Sequence, residues 1–104
     1  MWYSAALLFK SSHTPNRNFD ALWEEQIVLV EASTETDAHV KATDIGQQKT
    51  HSYMAVEGDL ITWKFDGILK VCEIEGPKLK DGSELFSRFL KNSEVVSLKT
   101  PFSE

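Results

Sequence analysis

The chain has 104 residues, 41% of them hydrophobic, 26% charged and 11% aromatic, a length and balance that suit a single folded domain over residues 1–104 and argue against disordered and fibrous classes. Eleven basic residues against sixteen acidic give a formal charge of −5, and both halves of the chain lean acidic. Phosphate backbones and anionic membranes need a basic excess or stripe, so neither nucleic acid nor membrane is an expected partner.

In chain order, "WYSAALLFK" separates by period-two alternation into two faces, Tyr3, Ala5, Leu7 and Phe9 on one, Trp2, Ser4, Ala6 and Leu8 on the other. Both are apolar enough for an interior strand, and the run is far short of the roughly 20 residues that cross a bilayer. "SSHTPNRNFDA" is rich in turn formers and reads as a long loop. The β-branched run in "LWEEQIVLVEA" predicts a second strand from about Glu24 to Ala32. Neighbouring strand residues point to opposite faces, so Glu24 and Glu25 diverge and cannot work as a paired acid and base. Glu25 instead shares a face with Ile27, Leu29 and Glu31.

"STETDAHVKATDIG" carries helix punctuation: Thr34 as N-cap, Glu35 and Asp37 in the first turn, Gly46 as a stop. The expected helix is Thr34 to Ile45, with Ala38, Ala42 and Ile45 as a narrow stripe toward a sheet and Asp37–Lys41 as an exposed pair. "HSYMAVEGDLITWKF" reads as a hairpin turning at Glu57-Gly58-Asp59, with Ile61, Trp63 and Phe65 on one face. Gly67 then interrupts the alternation as a bulge would. Beyond it, Leu69 and Val71 are expected on one face and Ile68, Cys72 and Ile74 on the other. "SELFSRFLK" fits one helical face nearly as well as two strand faces, with strand preferred, and "EVVSLKT" reads as a weak strand or ordered tail.

Few residues offer chemistry. His13, His39 and His51 have no ligand spacing and no cysteine partner, so no metal and no cofactor are expected. Cys72 stands alone, which excludes an internal disulfide and suits a reducing cytoplasm; its neighbours Val71 and Glu73 do not supply the electropositive surround of a nucleophile. Phosphate-loop, dinucleotide and Gly-x-Ser-x-Gly signatures are missing, and no catalytic residue is assigned. Candidate binding residues are Trp63, in the best-defined hairpin, the strand carboxylate Glu25, and Glu84 with Arg88, which lie four apart on one face. Each has a plainer reading: Trp63 as core, Glu25 as a solvated strand-end carboxylate, Glu84 and Arg88 as a surface ion pair worth about 0–1 kcal/mol.

Four stretches form a set: "WYSAALLF", "LWEEQIVLVEAST" leading into "DAHVKA", "YMAVEGDLITWKFDGILKVCEI" and "DGSELFSRFL". With Trp23-Glu24-Glu25, with Trp63, Phe65 and Gly67, and with Gly82, Glu84, Ser87 and Arg88, the chain resembles a small bacterial family, domain of unknown function 4288, up to about Leu90. The resemblance implies a compact bacterial domain and no particular activity.

The expected fold is α+β: an antiparallel sheet of four to six strands with one main helix packed on one face. The expected function is a non-catalytic protein-binding module of regulatory or immunity type. The alternative is a small-molecule binder or minor enzyme on the open sheet face, where Trp63, Glu25 or Arg88 would converge. A homodimer through a strand edge is also expected, with the tail "SEVVSLKTPFSE" either crossing to the second copy or completing its own sheet.

Overall fold

The computed structural model describes residues 1–15, 20–76 and 78–101. Its elements are β1 (Trp2–Thr14), β2 (Trp23–Glu31), α1 (Glu35–Gln48), β3 (His51–Met54), β4 (Leu60–Glu73) and α2 (Asn92–Lys99). The strands form a four-stranded sheet in the order β2-β1-β4-β3, each neighbouring pair antiparallel. The fold is α+β, as the strand-dominated sequence pattern predicts.

β1 occupies the interior of the sheet because both of its faces are apolar. Tyr3, Ala5, Leu7 and Phe9 are buried with Val30, Ala32, Ala38 and Ala42, and Trp63, Phe65, Ile68 and Val71 of β4 pack against that cluster. We call this the helix face. Thr34 caps α1 by accepting the Asp37 amide at 3.1 Å, which satisfies one of the open donors of the first turn. The small stripe Ala38, Ala42 and Gly46 is buried, letting the helix axis come close to the sheet.

Gly46 does not stop the helix as its residue type suggests; α1 continues to Gln48. A Cβ at Gly46 would run into the Phe65 ring. The glycine is there for the close approach of helix to β4, and tertiary packing holds it in helical conformation against its weak propensity. Lys41 also departs from the expected pairing with Asp37: its Nζ donates to the Glu31 carbonyl at 2.7 Å.

β1 runs on to Thr14, past the expected loop start, because Ser12, His13 and Thr14 find partners in Thr62, Ile61 and Leu60. The rest of that expected loop includes residues 16–19, which lie outside the described residues. β4 is one continuous strand with two register shifts: Leu8 pairs Gly67 while Phe9 pairs Phe65, and Ala6 pairs Lys70 while Leu7 pairs Ile68. The first leaves Asp66 as an extra residue beside Gly67, the expected bulge. The second makes Leu69 extra, and this overturns the expected faces: Ile68 joins Val71 on the helix face, while Cys72 and Ile74 keep company on the other. One inserted residue reverses a period-two alternation.

The last third of the chain departs furthest from expectation. Residues 83–91 are neither strand nor helix. "EVVSLK" is helical within α2, not a strand, and the Glu94 carboxylate accepts the Lys91 amide at 2.9 Å at its start. Among the described residues α2 contacts neither the strands nor α1. With the long β1–β4 pair it stretches the molecule to a radius of gyration of 16.5 Å, against about 13 Å for a compact chain of this length. Phe102, in the expected crossing tail, lies outside the described residues.

Candidate functional site

The face of the sheet opposite α1 carries Trp2, Ser4, Ala6, Leu8 and Lys10 of β1, with Glu31, Leu29, Ile27, Glu25 and Trp23 of β2 opposite them in that order. Over it lies an irregular strap, residues 83–91, held by polar anchors. The Ser4 hydroxyl donates to the Leu85 carbonyl. The Ser87 carbonyl accepts from Lys70 Nζ at 2.7 Å and from the Cys72 thiol at 3.6 Å. The strap follows β1 from Ser4 toward Leu8, and small side chains beneath it allow the approach: Ser4 is 3% and Ala6 0% exposed.

The strap is also fastened by an ion pair, Arg88 to Glu25 at 3.5 Å. Two residues singled out separately by their sequence context thus meet across the sheet, and Arg88 is paired with the β2 carboxylate and not with Glu84, which is exposed. Trp63 lies on the helix face, partly buried against the core, on the far side of the sheet from Glu25 and Arg88. The convergence of these residues on one open face, which an enzyme or small-molecule reading of that face required, is not what the fold builds.

The apolar surface of the strap face was missed from sequence. Trp2, Leu29, Ile74, Lys78 and Leu79 are among the residues lining a groove of about 560 Å³. Ile74 is buried at its base, and Trp2, Leu29 and Leu79 are exposed around it. Farther along the same face, Lys10 Nζ sits 5.1 Å from the Trp23 ring centre, a cation–π contact that holds the indole over the sheet. Alternation sorts Trp2 onto one face of β1 and Leu29 onto one face of β2, and the register of the two strands puts both on the strap face. Their meeting with Leu79 depends on where residues 78 and 79 lie, and no periodic signal marks that place.

The electrostatics of the helix face centre on Tyr3. Burial, then the carboxylates of Glu73, Glu35 and Asp37 in that order, push its phenol above the ordinary tyrosine value. Among the described residues no group of three or more His, Cys, Asp or Glu side chains is placed to hold a metal ion. No helix among them is long and apolar enough to cross a membrane.

The model of one protein family, described as Domain of unknown function (DUF4288), matches residues 2–87. The chain belongs to this family. The DUF4288 match takes in the four strands, α1 and the strap through its Ser87 anchor, while Arg88 and α2 follow it. Comparison with curated proteins and comparison with solved structures give no match.

Proposed function

We propose that this DUF4288 chain is a non-catalytic protein-binding module, of a regulatory or immunity type, that takes an apolar side chain of its partner into the groove between Trp2, Leu29 and Leu79. The observation that carries this reading is the exposure of these large apolar residues around a groove that Lys78 also lines. Apolar patches rimmed by polar groups mark protein contact surfaces, since leaving them in water costs free energy that a partner recovers. Lys78 would orient the incoming chain more than it would hold it.

Affinity capture from the source cells, followed by calorimetry with the purified captured protein, tests the proposal. Leu79→Glu should weaken the direct interaction at least tenfold, and Leu85→Glu, outside the groove, should not. Binding that ignores Leu79→Glu defeats the reading. A second reading is favoured by the same geometry, since the groove pairs apolar walls with the Lys78 ammonium: an anionic amphiphile would fit it. A thermal shift with anionic amphiphiles that Leu79→Glu abolishes, without any protein partner, would support that reading over the first.

A further inference from the structure

β2 is an outermost strand, and its backbone decides what can pair with it. The Ala32 amide donates to the Met1 carbonyl, and the Ser11 amide to the Leu22 carbonyl, each at 2.9 Å. These bonds fix the pattern of the whole ladder: even-numbered residues of β2 direct their N–H and C=O groups to β1. Trp23, Glu25, Ile27, Leu29 and Glu31 therefore present theirs outward. An exposed row of this kind is a template for another strand. The side chains of the same residues stand on the strap face, where Ile27 is 51% and Leu29 54% exposed.

We propose that two copies of this chain join through the outer edge of β2, antiparallel about a two-fold axis at Ile27, to make a continuous eight-stranded sheet. The surface differs from the groove edge at Leu79 and stands on its own observations. The charge pattern of the strand selects both the occupant and the register. With Ile27 facing its own copy, Glu24 stands opposite Val30, Glu25 opposite Leu29 and Glu31 opposite Trp23, so every carboxylate meets an apolar residue. Moving the axis to Val28 sets Glu25 against Glu31 in both directions, which repulsion disfavours. Moving it to Gln26 pushes Glu31 out to Ala21, beyond the strand. The Ile27 register is thus the one that uses all of β2 without opposing like charges.

The join has two local consequences. Outward groups of Ile27 bond those of its copy, and those of Glu25 bond those of Leu29 in each direction, while Lys41 already occupies one lone pair of the Glu31 carbonyl at the end of the ladder. The exposed side chains of Ile27 meet across the axis. Among the described residues, α2 contacts no strand of the sheet, β2 included.

The test uses the whole chain. Sedimentation equilibrium up to high micromolar concentration should show twice the mass of one chain, and a monomer throughout overturns the proposal. Ile27→Pro removes an outward N–H but no bond to β1, as edge strands tolerate; with circular dichroism unchanged, it should weaken association at least tenfold. An unaltered dimer in this variant overturns the edge. The register is read with Ile27→Cys in a Cys72→Ser background: hydrogen-bonded partners stand about 5.5 Å apart between Cα atoms, within disulfide reach. Mild oxidation should therefore crosslink the dimer, and Ile27→Cys that stays uncrosslinked while dimeric overturns the Ile27 axis, whether or not Ile27→Pro folds. Leu79→Glu should leave the mass unchanged, which separates this edge from the groove.

Discussion

The two faces of β1 are covered in two different ways. On one, Tyr3, Ala5, Leu7 and Phe9 meet a regular helix and the aromatic residues of β4. On the other, Ser4 and Ala6 meet an irregular strap held by a hydroxyl, an ammonium and a guanidinium. The first cover is held by buried apolar area, which accumulates with every contact. The second is held by a few polar bonds, each worth little once exchange with water is counted. The helix face should therefore carry stability, and the strap face should be free to move and to bind.

The widest gap between the faces is expected for two phenylalanines. Phe9 is 2% exposed and meets Phe65 edge-on at 5.7 Å, so Phe9→Ala should cost about 3–5 kcal/mol. Phe89, at the end of the strap, is 102% exposed, and Phe89→Ala should stay within about 0.5 kcal/mol. Urea unfolding of the two variants measures both. Comparable losses would mean that the strap is part of the core.

The next effect is at the seam between helix and sheet. Gly46→Ala gains helix propensity of about 1 kcal/mol but drives a methyl into the Phe65 ring, where overpacking costs about 1–3 kcal/mol. A net loss of about 1 kcal/mol is expected, with recovery in Gly46→Ala/Phe65→Leu relative to Phe65→Leu alone. A stabilised Gly46→Ala would show that the ring has room to turn away.

On the strap face the changes are smaller and local. Ser4→Ala removes the bond to the Leu85 carbonyl, a loss of about 1 kcal/mol. Arg88→Ala breaks the pair with Glu25, worth about 0–1 kcal/mol where both side chains are partly solvated. Together they should release the strap without unfolding the sheet. Chymotrypsin should then cleave at Phe86 and Phe89 several-fold faster, with little change in melting temperature. A large drop in melting temperature would tie the strap to global folding.

The same division explains how much could be read from the sequence. Alternation sorted the two faces of β1, and Thr34 marked the start of α1, because these signals act between near neighbours. Gly46 was misread as a stop because its reason is Phe65, in another element. The faces beyond Gly67 were misread because the extra residue at Leu69 follows from pairing with β1. The strap left no period to find, being fastened by single side chains to backbone carbonyls. α2 was misread because Val95 and Val96 favour strands, while nothing pairs with them as one. Glu25, Trp63, Glu84 and Arg88 were each visible, but the Glu25–Arg88 pair joins residues distant in sequence through the path of the strap.

The smallest expected effect belongs to the helix face and appears only at alkaline pH. Tyr3 is buried beside Glu73, its partner in the ladder, and near Glu35 and Asp37 at the start of α1. Burial and these negative charges oppose a phenolate, so the folded chain holds the Tyr3 proton to higher pH than the unfolded chain, which releases it near the ordinary value of about 10. The contribution of the neutral phenol is fully present below about pH 10. Above it the unfolded chain binds fewer protons than the folded one, so stability falls as pH rises through the folded value. Urea unfolding from pH 8 to 11 should show a steeper alkaline decline for the native chain than for Tyr3→Phe, the other alkaline titrations being shared by both. Parallel curves would mean that the Tyr3 hydroxyl reaches water in the folded protein and that the helix face is open at its Tyr3 end.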